Sequence, residues 1–424
     1  MAIVYVLDNN GKPLMPTKRC GFVRRALRDK KAVVVRREPF TIRLLYETPG
    51  IVQPVDLGID AGSKHIGLSA CTDKEELFAS EVILRSDITD LLASRRELRR
   101  SRRNRKKRYR KPRFDNRTRS KHKGWLAPSV EAKIGTHMCA VRDVMKILPV
   151  SGITVETASF DTQRLKADLA GLSAPEGKDY QQGEMLGFWN AREYVLFRDG
   201  HQCRCCKGKS KDKRLNVHHI ESRKTGGNAP GNLVTLCETC HNAYHAGRIT
   251  LPPSIRRGVS LRDAAFMGIM RWAFYNCLKE EMTAHGIDVR MTYGYITKNT
   301  RIRHGLHKTH CVDARCSSGH PGAKPLAYYY AQKKVRCHNR QLHKVKPSKS
   351  GVRKANQAPK TVFGFRLFDK VRYGKTECFI YGRRSKGYFD IRQLDGEKIH
   401  AGISYKKLEL LTHSNGLLTE RRPA

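Results

Sequence analysis

The sequence is short of acidic residues and contains no long apolar run. Its 424 residues include 39 Asp and Glu against 83 Lys and Arg, which gives a formal net charge of +44. No apolar stretch approaches the roughly 18 residues needed to cross a bilayer, and MAIVYVLDNN at the start lacks the regions of a signal peptide. We therefore expect an intracellular protein with no membrane partner. So large a positive charge requires a polyanion to neutralise it, and nucleic acid is the natural one.

Metal binding and reduced thiols fit the 13 cysteines better than a disulfide framework does, because the chain is long and the number is odd. Four of them form two Cys-x-x-Cys pairs, and two such knuckles predict one tetrahedral, structural zinc site. In the run CRCC, only two cysteines have the required spacing, so Cys205 is left out. The predicted zinc ligands are Cys203, Cys206, Cys237 and Cys240.

Histidines and an asparagine lie between these two knuckles or directly after the second one. Their order is His218-His219, Asn232 and His241. This order resembles the signature of the HNH endonucleases, whose fold is a β-hairpin and a helix around one Mg²⁺. The resemblance implies that His219 is the general base, that His218 and His241 are metal ligands, and that Asn232 orients the base. His218 replaces the more usual Asp, so Mn²⁺ is a possible alternative to Mg²⁺. His245 is either a spare ligand or, as we prefer, a helix-face histidine, and the alternative for the whole set is a zinc ribbon with packing histidines.

Three distant fragments carry acids that suit a second metal centre. Asp60 and Glu156 each end an apolar strand, and His310 and Asp313 share one face if their segment is helical. Each fragment alone is a weak signal. With an HNH module between the second and the third, they resemble the RuvC-type nucleases of the RNase H fold. That resemblance implies that Asp60, Glu156 and Asp313 hold two Mg²⁺ ions and that His310 activates water or positions the phosphate; His304 and His307 receive no role.

A basic run extends from Arg95 to Lys123, with 17 Lys and Arg and only two acids. A charge run is usually a solvated face. Because this one lies between folded segments and is almost unbalanced by acids, we interpret it as an arm that binds nucleic-acid phosphates. The predicted RNA-binding residues are Arg95, Arg96, Arg99, Arg100, Arg102, Arg103, Arg105, Lys106 and Arg110.

The full order of motifs resembles the IscB family of transposon-associated, RNA-guided nucleases, which are related to the CRISPR type II effectors. The fold class expected is multidomain α/β: an RNase H-like mixed sheet split in sequence, with an inserted ββα-metal HNH module, an arginine-rich bridge helix and a small C-terminal β-barrel-like domain. The expected domains are 1–54 (PLMP), 55–85 (RuvC-I), 86–125 (bridge helix), 126–185 (RuvC-II), 186–252 (HNH with zinc knuckles), 253–325 (RuvC-III) and 326–424 (target-adjacent-motif-interacting).

The resemblance implies a monomeric protein in a ribonucleoprotein with a guide (omega) RNA, in the cytoplasm of a prokaryote. HNH would cut the guide-paired strand of double-stranded DNA, and RuvC the displaced strand. Two alternatives stay open: an HNH/RuvC endonuclease that needs no guide RNA, and a non-catalytic nucleic-acid-binding scaffold. For local structure, the patterns predict a βαββ unit at 2–46, a strand over 288–296, and a loop-rich stretch from 326 to 359.

Overall fold

The computed structural model describes residues 3–104, 125–157, 191–221, 230–255, 262–336 and 359–424. The chain divides into two compact units. The first comprises Met1–Phe114, Ala127–Ser159 and Met270–Ala424, and the second comprises Asp115–Leu126 and Phe160–Ile269. Each unit is described below by itself.

The first unit begins with the predicted βαββ arrangement. Its elements are β1 (Tyr5–Leu7), α1 (Cys20–Arg28), β2 (Ala32–Arg36) and β3 (Thr41–Leu44). β1 pairs parallel with β3, which pairs antiparallel with β2. A small apolar core between the helix and the sheet contains Val6, Val23 and Ile42. The hydrophobic pattern of this segment was therefore sufficient to predict its elements.

A seven-stranded mixed sheet forms the centre of the first unit. Its strands are β4 (Asp56–Ala61), β5 (His65–Cys71), β6 (Glu76–Ile83), β7 (Gly152–Thr157), β10 (Asp288–Tyr293), β11 (Tyr328–Lys334) and β17 (Leu417–Pro423). Their order across the sheet is β10-β7-β4-β5-β6-β11-β17. β4, β5 and β6 form an antiparallel meander, β7 joins β4 in parallel, and β10 joins β7 in parallel. β11 pairs parallel with β6 and antiparallel with β17.

Two of these strands come from the range that the sequence assigned to the C-terminal domain. The prediction of a loop-rich stretch from residue 326 is wrong over β11, which hydrogen-bonds to β6. Its sequence, YYYAQKK, begins with three tyrosines, a residue type that β-sheets favour. The β-propensity of this segment was therefore visible in the sequence. The strands that bury it were not, because they are far away in the chain.

Helices of the first unit lie between these strands in sequence. They are α2 (Ile88–Asn104), α3 (Pro128–Met145), α6 (Arg262–Thr283, which crosses the unit boundary at Met270), α7 (Gly294–Arg303) and α8 (His310–Ser317). α7 corrects the predicted strand over 288–296. β10 pairs with β7 as far as the partners Tyr293 and Thr157. Among the residues that the structure describes, no strand pairs with the chain beyond Tyr293, and the next residues satisfy their backbone groups as a helix instead.

Helix α8 packs unusually close to the sheet because two glycines make room for it. A Cβ on Gly58 would overlap the carbonyl oxygen of Ala314, and one on Gly67 would overlap the carbonyl oxygen of His310. Thr309 caps the N-terminus of this helix, and its hydroxyl accepts a hydrogen bond of 3.1 Å from the backbone N–H of Val312. Because Gly58 on β4 and Gly67 on β5 have no side chain, the backbone of α8 can lie directly against the backbone of both strands.

The remaining strands of the first unit form a five-stranded antiparallel sheet in the order β15-β14-β13-β12-β16. The strands are β12 (Lys370–Tyr373), β13 (Thr376–Arg383), β14 (Tyr388–Arg392), β15 (Lys398–Ser404) and β16 (Glu409–Thr412). Phe389, Ile380 and Ile391 are fully buried in its core. Closure of these strands into a barrel stays a prediction.

In its described residues, the second unit contains a hairpin, two short helices and the beginning of α6. Besides α6, these elements are α4 (Ala191–Arg198), β8 (Leu215–His219), a 3₁₀ turn (Pro230–Asn232), β9 (Leu233–Cys237) and α5 (Glu238–His245). β8 and β9 pair antiparallel, and α5 contacts both strands. Within the described ranges of both units, no helix combines the length and apolarity that a membrane span requires.

Candidate functional site

The strand pairing of the first unit brings two of the predicted acids side by side. Asp60 on β4 is the register partner of Glu156 on β7. Both side chains are largely buried, with relative exposures of 6% and 8%. Directly opposite residues on neighbouring strands project to the same face, with their Cβ atoms about 5 Å apart. The two strand-end acids therefore form one pair.

Helix α8 carries the third fragment to this pair. The Nδ1 of His310 lies 2.6 Å from the Oδ2 of Asp60, so the imidazole N–H donates to the carboxylate. Asp313 is three residues further along the same helix, in its first turn. The structure thus brings together Asp60, Glu156, His310 and Asp313, from three separate parts of the chain.

Two arginines that sequence reasoning missed complete the cluster. The Nη2 of Arg271 lies 3.4 Å from Glu156 and 3.9 Å from Asp60, while its Nε donates to the carbonyl of Ala61 at 2.7 Å. The Nε of Arg301 lies 2.9 Å from the Oδ1 of Asp313. The two side chains form an ion pair, but the geometry at these two atoms is not that of a hydrogen bond. Arg271 interrupts the apolar run AAFMGIMRWAF, and that lone cation was the signal in the sequence.

Burial and crowding set the electrostatics of this cluster. Burial, followed by the neighbouring charge of Asp60, raises the pKa of both Glu156 and Asp313, against the opposing effect of the arginines. The hydrogen bond to Asp60 raises the pKa of His310. With Asp60, the carboxyl groups of Glu156 and Asp313 form an oxygen-rich donor set. That is the chemistry that Mg²⁺ and Mn²⁺ prefer, so the residues fit divalent cations.

Three histidines of the second unit form another cluster. His218 on β8 meets His241 and His245, which lie one turn apart on α5. The candidate ligand atoms of the three all lie within 4.8 Å of one another. The Nε2 of His218 is buried without a hydrogen-bond partner. An orphaned imidazole nitrogen facing two more imidazoles fits a metal ion, and it places His245 with the predicted ligands rather than apart from them.

The environment of His218 favours its neutral form. Burial, and then the charges of the neighbouring imidazoles, lower the pKa of His218 to about 4. A neutral imidazole can donate its lone pair to a metal, whereas an imidazolium cannot. His218 is therefore available as a ligand throughout the neutral range.

Asn232 acts on the backbone that follows the predicted base. Its side chain accepts a hydrogen bond of 2.9 Å from the N–H of Glu221 and donates one of 3.0 Å to the carbonyl of the same residue. Its own carbonyl accepts from the N–H of Ile220 at 2.9 Å. Asn232 is fully buried. It thus fixes the chain directly after His219, which is half-buried at the end of β8.

The four predicted cysteines meet as a single group. Their sulfur atoms lie within 4.8 Å of one another, and Cys206 and Cys237 are 3.8 Å apart at sulfur. A tetrahedral ion with Zn–S bonds of about 2.3 Å would place its sulfurs roughly 3.8 Å apart. The group fits a structural zinc ion, and Cys205 lies outside it.

The predicted bridge is helical over its described part. α2 is described as far as Asn104, and Arg95, Arg96, Arg99 and Arg100 are all exposed. The side chains of Arg102 and Arg103, together with Arg105, Lys106 and Arg110, lie outside the described residues. A narrow, half-buried stripe of Ile88, Leu91 and Leu98 runs along the helix, which contacts α3. Exposed arginines on a helix held by so narrow a stripe remain available to phosphates.

Two protein families match this chain. The RRXRR protein family matches residues 4–183, and the chain contains the string Arg-Arg-Ser-Arg-Arg at 99–103. The HNH endonuclease family matches residues 203–247, which hold the cysteine and histidine clusters. Together, these matches indicate an IscB-like protein with an HNH endonuclease domain. The HNH match contains the histidine cluster, and the acids of the first unit lie on either side of it in sequence.

Anaredoxin from Nostoc sp. is a relative of a short stretch of this IscB-like chain. The two are 32% identical over 62 residues, which are 14% of this chain and 79% of that protein.

Among solved structures, the chain resembles two Cas9 proteins. Streptococcus thermophilus Cas9, in complex with the GGAA PAM, is 15% identical over 52% of this chain and 30% of that one, with a TM-score of 0.32. The Type II-C Cas9 of Actinomyces naeslundii is 12% identical over 63% and 59%, with a TM-score of 0.20. This chain thus spans less than two thirds of the length of either Cas9. Scores this low support no argument about function.

Proposed function

We propose that this protein is an RNA-guided endonuclease of double-stranded DNA with two cutting centres. The HNH cluster would cut the strand paired with the guide, and the carboxylate cluster would cut the displaced strand. The observation that carries the proposal is the carboxylate cluster. Asp60 and Glu156 come from neighbouring strands, and His310 and Asp313 come from a helix more than 150 residues away in sequence from Glu156. A non-catalytic scaffold would not need four such groups together beside two compensating arginines.

In the carboxylate centre, Asp60, Glu156 and Asp313 would hold two Mg²⁺ ions. Arg271 and Arg301 counter part of the negative charge of these carboxylates. His310 donates its Nδ1–H to Asp60, which leaves Nε2 as the nitrogen able to take a proton from water. The carboxylate thus selects the useful tautomer and orients the ring.

In the histidine centre, His218, His241 and His245 would hold one Mg²⁺ or Mn²⁺ ion. His219 would accept the proton of the attacking water, and Asn232 would set the backbone that carries it. Imidazole nitrogens are softer than carboxylate oxygens, so Mn²⁺ would support this centre better than it supports the other. Divalent ions at both centres would stabilise the negative charge that develops on the phosphate and on the leaving oxygen.

Three observations support a guide RNA: the net charge of +44, the exposed arginines of α2 and the IscB-like character of the matched regions. A helix that presents basic side chains to solvent binds phosphates without reading bases. Base pairing by an RNA would then supply the sequence specificity.

Sequencing the RNA that co-purifies with the protein, followed by cleavage of a duplex matched to it, tests this proposal. We expect one defined RNA and Mg²⁺-dependent cutting of both strands only at matched sites. Protein stripped of RNA and shown to retain zinc should lose cutting and regain it on addition of that RNA. Specific cutting by the stripped protein would instead identify a guide-free endonuclease, and no Mg²⁺-dependent cutting under any condition would identify a scaffold.

A further inference from the structure

The acids of the carboxylate centre belong to a longer row of positions that crosses the seven-stranded sheet. Glu156 is the register partner of Asp60, Asp60 of Gly67, and Gly67 of Glu81. Register partners project to the same face, so Glu81 on β6 points to the same side as the two metal-binding acids. The glycine leaves a gap in the row, and the backbone of His310 fills it. Glu81 has no place in the scheme described so far.

Glu81 binds a histidine that reaches into the same gap. His65 precedes Gly67 by two residues on β5 and therefore shares its face. The Nδ1 of His65 lies 2.7 Å from the Oε1 of Glu81. The ring of His65 stacks on that of His310, with centroids 5.1 Å apart and planes 7° from parallel. His310 is therefore held on two sides, by the carboxylate of Asp60 at Nδ1 and by the ring of His65 on its face.

A metal ion shared by these three residues is the first alternative, because their potential ligand atoms lie within 4.8 Å of one another. An imidazole lone pair lies in the plane of its ring. Two stacked rings in nearly parallel planes cannot direct their lone pairs at one ion about 2.1 Å from each nitrogen. The stacking of His65 on His310 therefore argues against chelation and for a mechanical role.

We propose that His65 and Glu81 are positioning residues for His310, an inference that rests on the proposed nuclease function. Glu81 fixes the ring of His65, and the ring of His65 fixes the plane of His310. Asp60 fixes the rotation of His310 within that plane, so its Nε2 points in one direction. In this role, neither His65 nor Glu81 would contact the substrate or the ions. A hydrogen bond holds a single point of a ring, whereas a stacked face holds its tilt, so the two restraints are complementary.

The test uses the full ribonucleoprotein on a matched duplex whose strands carry different labels. The single-turnover rate of displaced-strand nicking is measured against Mg²⁺ concentration, and paired-strand nicking in the same reaction serves as the internal standard. We expect His65→Ala to lower the displaced-strand rate at saturating Mg²⁺ by about 10- to 100-fold, the usual cost of losing an orienting group. The half-saturating Mg²⁺ concentration and the paired-strand rate should not change.

Two further variants separate positioning from folding. His65→Phe retains a flat ring against His310 and should recover most of the lost rate, and Glu81→Gln should lie between the wild type and His65→Ala. His320→Ala is the matched control, because it removes another histidine–carboxylate pair of this sheet, at Asp56 on β4. We expect it to cut both strands at wild-type rates.

A wild-type rate in His65→Ala would overturn the inference. So would an equal loss of both nicks, which indicates misfolding, or a raised half-saturating Mg²⁺ concentration, which indicates a ligand. Failure of the proposed function gives a different result: the wild-type complex itself would show no nicking that depends on Asp60, and the inference would fall with it.

Discussion

The carboxylate cluster and the histidine cluster both fit a metal ion, but the residues of the first are far apart in the chain and those of the second are close together. Asp60 and His310 are 250 positions apart, and only the pairing of β4 with β7 and the docking of α8 bring the first cluster together. The second lies within residues 218–245, on one hairpin and the helix that follows it. The first lies on a large sheet with an apolar core. The second lies beside four cysteines, where the described residues form only two small clusters of buried side chains.

This difference teaches where each centre is vulnerable. A site assembled by long-range strand pairing is sensitive to anything that shifts the sheet or the helix on it. A site in a small module with little core needs a metal ion as its scaffold. Each of the following perturbations should therefore affect one centre and spare the other.

Loss of the zinc ion should have the largest effect, and only on the histidine centre. Structural zinc contributes on the order of 10 kcal/mol to the folding of small modules. We expect Cys240→Ala to lose zinc, measured by elemental analysis, and to lose paired-strand nicking, while displaced-strand nicking that depends on Asp60 persists.

Cys205→Ala is the matched control, because Cys205 neighbours the knuckle but lies outside the group of four sulfurs. It should retain zinc and both activities. If Cys205→Ala lost zinc while Cys206→Ala retained it, the register of the first knuckle would be wrong.

The next largest effects should follow from removing one key group in each centre. Asp60→Ala should leave a nick only in the guide-paired strand, and His219→Ala should leave one only in the displaced strand. Loss of a general base reduces the rate by about 100- to 10,000-fold. The double variant should cut neither strand. Strand-resolved gels give the result, the unaffected strand is the control in each case, and a single variant that cuts both strands would contradict the two-centre assignment.

A smaller effect should follow from filling the gap beneath α8. Gly58→Ala places a methyl group where the carbonyl of Ala314 lies, so the helix must move away from β4. Overpacking of this kind costs about 3 kcal/mol, or roughly 5–10 °C in Tm. Displaced-strand nicking should fall with it, because His310 and Asp313 move with the helix.

Gly135→Ala provides the comparison for this change. Gly135 lies within α3, and a Cβ there meets nothing within 4 Å. Because alanine favours the helix over glycine, this variant should be neutral or stabilised by up to about 1 kcal/mol. Equal Tm values for the two variants would show that α8 does not need the gap.

The same difference explains what could be predicted from the sequence. The cysteine and histidine spacing revealed the second cluster, because each ligand lies close to the next along the chain. His245 could have been included on the same grounds, as it follows His241 by one helical turn. Asp60 and Glu156 were visible as acids that end apolar strands, and their adjacency agrees with that pattern.

What could not be predicted depends on contacts that no local pattern encodes. Arg271 and Arg301 lie on helices whose sequences do not reveal that they face the carboxylates. The strand β11 was missed because its partners, β6 and β17, are remote in the chain. The pairing of His65 with Glu81 likewise depends on the register of β5 and β6, which hydrophobic alternation alone does not specify.

The smallest expected effect concerns Glu156 in the absence of divalent ions. Burial and the charge of Asp60 raise the pKa of Glu156 in the folded protein above its ordinary value of 4.5. The folded state therefore binds this proton more tightly than the unfolded state does. The resulting stabilisation is complete below about pH 4.5 and is lost as the pH rises through the raised pKa.

At pH 7 in a chelator, Glu156→Gln should thus raise Tm by a few degrees, since the amide carries no charge. The advantage should shrink as the pH falls and reverse in Mg²⁺, which only the wild type binds well. Glu47→Gln, at an exposed position, should show neither trend in thermal unfolding. A wild-type protein that is more stable than Glu156→Gln in chelator at pH 7 would mean that Arg271 alone already balances the two acids.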